Sequence, residues 1–477
     1  MEKIQKFVDS TIWEYTDALW AHSPINPMFL TQGLMILLAT LSVYWCCQST
    51  VEKPFNAKSP DKNSELYHPT DTHTTQSSNR IKEKEALFAP LIAGAELLGV
   101  YYAFKLNPEL VKKTFRFVFN FATVSGVTAT VSMCLNAISR GLPNRPVLPD
   151  WQLSLFRNPA HIQPSIRSDP EEVERFEVEA DQQVVNINFS LGEVIGLIAA
   201  VGVLYINVYS PSWMFGNFLA MCTVIYGCGI MKLHSFKSGL IILVGLFVYD
   251  IYFVFYTDVM MTVALNIDAP IKLELPRPSE TTSEGIVKAT SLLGLGDIAV
   301  PSLFISLLLR YDTWNFYGNN PDLPFHLARK IPTPFFKAGL VAYVIGLLGA
   351  IVAMLITGAG QPALLYLCPS VIIVSVGMAA YRGELKEMWN FVDGDPEKDE
   401  EKNKEKDAQK KVNGKKKLNA THKTVVNDNE ENKKLEEAPT RVRHSKSTPL
   451  KQLSLEQPDS SVRKSSRPRR ANVNYGE

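Results

Sequence analysis

Two aspartates lie inside apolar stretches of this chain, where a carboxylate is costly to bury. Asp250 lies in residues 241–254, which read IILVGLFVYDIYFV, and Asp297 lies in residues 291–300, which read SLLGLGDIAV. A charged side chain at the centre of a membrane-spanning helix costs about 2.5–3.5 kcal/mol on insertion scales. One such residue suggests a function, and two of them in distinctive local sequences suggest a reaction.

Two glycines precede the second aspartate, in the motif Gly294-Leu295-Gly296-Asp297. Glycine weakens a helix by about 1 kcal/mol and lets another backbone approach closely. A protease must unwind a helical peptide before it can reach a carbonyl, and irregular backbone beside an acid offers edge hydrogen bonds to an extended peptide. Irregular backbone is tolerated at membrane depth only where protein or a water-filled cavity surrounds it. The motif therefore favours a cleavage site over an inert span.

A third motif, Gln361-Pro362-Ala363-Leu364, stands at the start of the last apolar run. Proline has no backbone N–H and resists helix continuation on its N-terminal side. By itself the motif is typical of an ordinary helix start with proline in the first turn. Together with the two aspartate motifs it is predicted to belong to the same site.

Runs of about 20 apolar residues are long enough to cross a bilayer as helices. They predict an all-α polytopic membrane protein with nine transmembrane helices and with short connections after the fourth and eighth. The predicted spans are 28–47, 87–104, 117–138, 189–208, 212–231, 238–257, 286–308, 336–357 and 362–381.

The charged residues divide the 477-residue chain into three predicted segments. Residues 1–27 form an N-terminal segment without the apolar core of a cleavable signal peptide. Residues 28–381 form the membrane domain. Residues 382–477 form a charged tail that is predicted to be disordered, because it lacks the apolar content for a packed core. The net charge of +1 averages over these segments and indicates nothing about partners.

Lys and Arg are enriched in the connections after the odd-numbered spans, which predicts a luminal N-terminus and a cytosolic tail. Water must reach the two aspartates, and we expect a polar cavity that opens to the cytosol. Two further acids lie in apolar runs. Glu193 is predicted to be structural, whereas Glu96 is either a buried hydrogen-bonding residue or part of a polar path.

Other chemistries are excluded or disfavoured. All eight histidines lie outside the predicted spans, so neither an intramembrane Ser–His pair nor a His-Glu-x-x-His zinc site is present. The six cysteines follow no zinc or disulfide spacing, and we expect no metal, cofactor or nucleic-acid partner. A transporter or channel that uses Asp250 and Asp297 as a proton or cation relay is the alternative. It would be supported by internal repeats, and no convincing ones are found.

The three motifs resemble those of the presenilin-type intramembrane aspartyl proteases. Within that group, residues 269–273 (APIKL) and 361–366 (QPALLY) resemble the signal peptide peptidase branch. The resemblance extends over most of residues 85–390. It implies a presenilin-like fold with Asp250 and Asp297 as catalytic residues on the sixth and seventh spans.

The resemblance also implies the remaining site residues and the setting. Active-site support or substrate binding is implied for Tyr249, Gly294, Leu295, Gly296, Gln361, Pro362, Ala363 and Leu364. Tyr249 could hydrogen-bond within the site or pack against a neighbouring helix, and both options stay open. The implied partners are the bilayer and type II transmembrane peptides such as remnant signal peptides, in the endoplasmic reticulum membrane. The connection 258–285 is short, so we expect no self-cleavage, and homo-oligomer formation is left open.

Overall fold

The computed structural model describes residues 27–68, 79–141, 149–156, 183–209, 212–257, 272–277, 280–282, 285–287, 290–358 and 361–394. These residues all belong to one compact unit, Met1–Glu400. The predicted N-terminal segment before residue 27 and the tail beyond residue 394 lie outside the described residues.

The described residues contain nine long helices, and their number agrees with the prediction from the apolar runs. They are α1 (Pro27–Ser49), α2 (Glu83–Leu106), α3 (Pro108–Gly141), α4 (Leu191–Tyr209), α5 (Trp213–Ile230), α6 (Phe236–Phe255), α7 (Gly296–Asn319), α8 (Pro334–Thr357) and α9 (Leu364–Arg382). A short helix, α10 (Leu385–Asn390), follows them.

Short strands lie in the connections between the helices and form two-stranded sheets. The strands are β1 (Asn79–Ile81), β2 (Asp150–Phe156), β3 (Gln183–Ser190), β4 (Met231–Leu233), β5 (Lys272–Pro276), β6 (Glu280–Thr282), β7 (Gly285–Val287) and β8 (Thr290–Gly294). The pair β1–β4 is parallel, and the pairs β2–β3, β5–β8 and β6–β7 are antiparallel.

The helix boundaries follow from local chemistry. Helix α6 begins with a capping box, in which the hydroxyls of Ser235 and Ser238 each accept the other residue's backbone N–H at 3.1 Å. Helices α8 and α9 end at Gly358 and Gly383, whose φ angles of 66° and 71° are left-handed. Glycine adopts that conformation without a side-chain clash and so stops both helices.

Eight of the nine long helices are apolar enough to cross a membrane, and α7 is the exception. It carries Asp297, Arg310 and Asp312. Residues 304–313 are buried on every side of the helix, and α7 contacts α1, α5, α6, α8 and α9. Because protein rather than lipid surrounds it, α7 can hold polar side chains that a lipid-facing helix would exclude.

The connections gather at two opposite ends of the bundle. At one end β1 pairs with β4, and single bridges join Lys58 to Pro324 and Ser235 to Val392. We call this the tail end, because it holds the last described residues. The hairpin β5–β8 lies between α6 and α7 and marks the other end, which we call the hairpin end. The helices therefore alternate in direction, as a chain that crosses a bilayer repeatedly must.

Two predicted boundaries are corrected by these elements. The seventh helix begins at Gly296 rather than 286 and continues to Asn319 rather than 308, because residues 290–294 pair with β5 as a strand. The membrane domain also extends beyond residue 382. Helix α10 follows it, and Asp393 donates its backbone N–H to the carbonyl of His234 at 2.7 Å.

Candidate active site

Asp250 and Asp297 come together from adjacent helices. Asp250 lies in the last part of α6, and Asp297 lies in the first turn of α7. The two helices are in contact with each other. Asp250 is 4% exposed and Asp297 is partly buried. Among the described residues, the buried Oδ2 of Asp250 has no hydrogen-bond partner. The site therefore holds two neighbouring carboxyl groups with an unused oxygen between helices.

Cys368 on α9 is fully buried, and α9 contacts both α6 and α7, the helices that carry the two aspartates. The absence of a zinc or disulfide spacing among the cysteines gave no indication of this placement. The available signal was spacing, because Cys368 follows Leu364 by four residues and such residues share one helix face.

The residues Gly294-Leu295-Gly296 form the junction between strand β8 and helix α7. The carbonyl of Leu295 accepts the N–H groups of Ile298 and Ala299 at 3.2 and 2.8 Å, which starts the helix. A Cβ atom added to Gly294 would lie 3.4 Å from Oδ2 of Asp297, and one added to Gly296 would meet nothing within 4 Å. The predicted non-helical backbone is present directly before the acid, with open space at Gly296.

The proline motif lies at the start of α9. Pro362 is buried before the first helical residue, Leu364, and the carbonyl of Ala363 accepts two N–H groups of the first turn at 3.0 Å. The Gln361 side chain donates from Nε2 to Oγ1 of Thr357 at 3.1 Å. The structure thus places Pro362 before the helix, with no N–H to be satisfied.

A cavity of about 260 Å³ lies between strand β8 and the proline motif. Its wall includes Ser291, Leu292 and Leu293 of β8 on one side and Gln361 and Ala363 on the other. Apolar side chains of α1 and α8 complete it, among them Met35, Ile36, Leu347, Ile351 and Met354. Residues that are remote in the chain therefore surround one largely apolar space beside strand β8.

Tyr249 packs against its neighbours, which decides between the two alternatives left open by the sequence. Its ring lies 4.6 Å from that of Phe253, centroid to centroid. A Cβ atom added to Gly94 of α2 would lie 3.8 Å from Cε2 of Tyr249 and 3.4 Å from Cε2 of Phe253. Tyr249 therefore holds α6 against α2.

The two glutamates in apolar runs are not part of the site. Glu193 forms a capping box at the start of α4, where its Oε2 accepts the N–H of Ser190 at 3.1 Å and its own N–H donates to Ser190 Oγ at 3.2 Å. The structural role predicted for it is thus confirmed. Glu96 is exposed on α2, so the prediction of a buried hydrogen-bonding residue is wrong, and the role in a polar path stays a prediction.

The site lies near the hairpin end of the bundle, because α6 runs toward that end and α7 starts there. With a luminal N-terminus, nine alternating helices put the hairpin end on the luminal side. This differs from the expected cavity open to the cytosol, and both the orientation and that opening stay predictions.

Comparisons with known proteins agree with this geometry. A family model described as signal peptide peptidase matches residues 70–395. A probable intramembrane protease of Saccharomyces cerevisiae is 28% identical over 424 residues, which cover 75% of this chain and 72% of the yeast protein.

Two mammalian proteins are similar over comparable lengths. The signal peptide peptidase of Mus musculus is 28% identical over 77% of this chain and 84% of its own length. That of Homo sapiens is 30% identical over 66% of this chain and 75% of its own length. The transporter alternative gains no support from these matches. With the family model covering well over half of the chain, this protein belongs to the signal peptide peptidase family of intramembrane aspartic proteases.

Proposed function

We propose that Asp250 and Asp297 are the catalytic pair with which this intramembrane aspartic protease hydrolyses peptide bonds. The main support is that α6 and α7 are in contact and that each carries one of two otherwise costly carboxyl groups. A buried carboxyl oxygen without a hydrogen-bond partner lowers the free energy of unfolding, and a catalytic role is one explanation for its presence. The unused Oδ2 of Asp250 fits a group that waits for a water molecule or a substrate.

The proposed hydrolysis mechanism depends on the two carboxyl groups sharing one proton. Two carboxyl groups in a low-dielectric site do not both ionise, so the pair carries a single proton and titrates as a unit. The ionised carboxylate removes a proton from water, while the protonated carboxyl donates a hydrogen bond to the scissile carbonyl. Attack gives a gem-diol, and its collapse breaks the C–N bond as the leaving amine takes up a proton.

Strand β8 is suited to hold the substrate in an extended form. Within the described residues β8 has one partner strand, β5, so its other edge is free to pair with a peptide. That edge leads directly into Gly294, Leu295 and Gly296, and the neighbouring cavity is bounded by the proline motif. These features support a substrate-binding role for the residues of both motifs.

The substrates we propose are type II transmembrane segments, including remnant signal peptides, in the endoplasmic reticulum membrane. The support comes from the family and from the predicted luminal N-terminus. Helix-breaking residues in the substrate should favour cleavage, because a helical segment must unwind before it can pair with β8.

The test is a cleavage assay with purified protein in detergent and a type II signal-peptide substrate. We expect wild type to cut within the transmembrane segment and both Asp250→Asn and Asp297→Asn to be inactive. Asp322→Asn, at an exposed position in the α7–α8 connection, is the matched control and should cut normally. Cleavage by either catalytic variant at the wild-type rate would refute the pair, and ion flux through reconstituted wild type without cleavage would favour the transporter.

A further inference from the structure

A buried asparagine on α5 holds the outer edge of strand β5. The Nδ2 of Asn217 donates to the carbonyl of Glu274 at 2.7 Å, and the N–H of Glu274 donates to Oδ1 of Asn217 at 2.8 Å. Asn217 is 5% exposed. Burying a side-chain amide costs free energy unless its hydrogen bonds are made. Here Glu274 provides a partner for both the Nδ2 and the Oδ1 of Asn217. Asn217 thus pairs with β5 as a neighbouring strand would.

These two bonds determine which backbone groups of the hairpin point outward. In antiparallel strands the N–H and C=O of one residue point to the same side, and that side alternates along the strand. The N–H and the C=O of Glu274 both point toward Asn217 and therefore away from β8. Glu274 and Leu292, which lie opposite each other in the hairpin, consequently form no hydrogen bonds with each other. Pro276 lies two residues after Glu274, so its backbone nitrogen also points away from β8. The N–H that proline lacks is therefore not one that the hydrogen bonds between β5 and β8 require.

The same alternation applies to β8. Ser291 and Leu293 face β5 with their backbone groups, while the N–H and C=O of Leu292 face the free edge. Asn217 closes the opposite edge of the hairpin, on β5. A peptide that adds to this hairpin therefore has one edge available, and Leu292 and Gly294, which share one phase, can exchange hydrogen bonds with it.

We propose that Asn217 is a positioning residue for the substrate: its two bonds to Glu274 hold the hairpin in the register and phase that present Leu292 to an extended peptide. This inference rests on the proposed function, since it names how the substrate strand is held beside Asp297. Asn217 touches neither the aspartates nor the peptide and acts through β5 and β8.

The first measurement is independent of activity. Backbone hydrogen exchange of Glu274 should be slow in wild type and fast in Asn217→Ala, because the N–H loses its acceptor. Unchanged protection in Asn217→Ala would overturn the proposal. If wild type cleaves no substrate, the proposed function fails, whereas the exchange result still decides whether the contact exists.

The second measurement is kinetic. Loss of both bonds in Asn217→Ala should raise KM about tenfold, with kcat within about twofold of wild type, and should produce cuts at additional neighbouring positions. The control is Asn56→Ala, which removes a single side-chain bond to the carbonyl of Trp314 at the tail end and should leave KM unchanged. A normal KM with a single normal cut, or a fall in kcat at constant KM, would overturn the proposal.

Two proline substitutions in β5 test which backbone groups face Asn217. They remain informative if Asn217→Ala does not fold. Glu274→Pro removes the N–H that faces Asn217 and the side chain that pairs with Lys272, and it should raise KM about threefold. Leu275→Pro removes a ladder bond to β8 and a buried side chain, and it should raise KM far more. If Glu274→Pro raises KM as much as Leu275→Pro does, or leaves KM unchanged, the assignment of which backbone groups of β5 face Asn217 is wrong.

Discussion

The hydroxyl of Tyr343 donates a hydrogen bond to the backbone carbonyl of Asp297 at 3.4 Å. In a regular helix that carbonyl would accept the N–H of the residue four positions on, which is Pro301 and has none. Tyr343 is fully buried on α8 and supplies the missing donor from another helix. Pro301 and Tyr343 together therefore set the position of the first turn of α7, which carries Asp297.

Removing this hydroxyl should impair catalysis more than substrate binding. A single neutral hydrogen bond contributes about 1 kcal/mol, so Tyr343→Phe should lower kcat by up to about fivefold and leave KM near the wild-type value. Steady-state cleavage kinetics measure both constants. An unchanged kcat, or an effect confined to KM, would contradict this role.

Pro301→Ala provides the matched background for that experiment. Alanine at 301 restores a helical N–H for the Asp297 carbonyl, so the effect of Tyr343→Phe should shrink in the double variant. A double-mutant cycle measures the coupling. Strictly additive effects would show that Tyr343 acts elsewhere.

Close contact between α2 and α6 should be sensitive to one methyl group. Gly245 of α6 lies against the ring of Pro90, so a Cβ atom there would collide with it. We expect Gly245→Ala to push the helices apart, lower the melting temperature and reduce cleavage, because Asp250 lies on the same helix. Gly99→Ala on α2 is the control, since a Cβ there meets nothing within 4 Å. It should be neutral or stabilising by up to about 1 kcal/mol. Equal behaviour of the two variants would refute the contact.

Asp312 of α7 caps the start of α8 from outside that helix. Its two carboxylate oxygens accept the N–H groups of Phe335 and Phe336 at 3.3 and 2.9 Å. Asp312→Ala should destabilise the protein by about 1–2 kcal/mol, the usual cost of losing a helix cap, and Asp312→Asn, which keeps an acceptor, should cost less. Thermal unfolding in detergent compares them. An equal loss in both variants would indicate that the charge matters rather than the cap.

The residues after α10 should be required for stability. Asp393 forms ion pairs through Oδ2 with Nε of Arg310 on α7 at 2.9 Å and with Nε of Arg80 at 3.5 Å. A chain that stops after Asn390 leaves the buried Arg310 without this partner, and such losses cost roughly 3–5 kcal/mol. A chain that stops after Gly394 should melt like the full-length protein, because the deleted tail has the composition of a chain without a core. Melting temperatures test both, and equal values for the two truncations would exclude the predicted role of Asp393.

The sequence alone was sufficient to predict the number of long helices and to single out the two aspartates, because both signals are local in the chain. A bilayer requires about 20 apolar residues per helix and makes each intramembrane carboxylate conspicuous. The glycines before Asp297 likewise indicated irregular backbone, and β8 ends there. The helical start predicted at 286 failed because an apolar run reads alike as helix or strand, and the choice depended on β5.

Only the tertiary structure decided what surrounds the aspartates. Asn217 of α5 bonds to the hairpin, and Tyr343 of α8 bonds to the backbone carbonyl of Asp297. Their roles depend on which helix faces meet, and neither apolar periodicity nor local motifs carry that information. The same is true of α7, whose polar residues are tolerated because five other helices surround it. The position of the site at the hairpin end also became clear only when the direction of each helix was known.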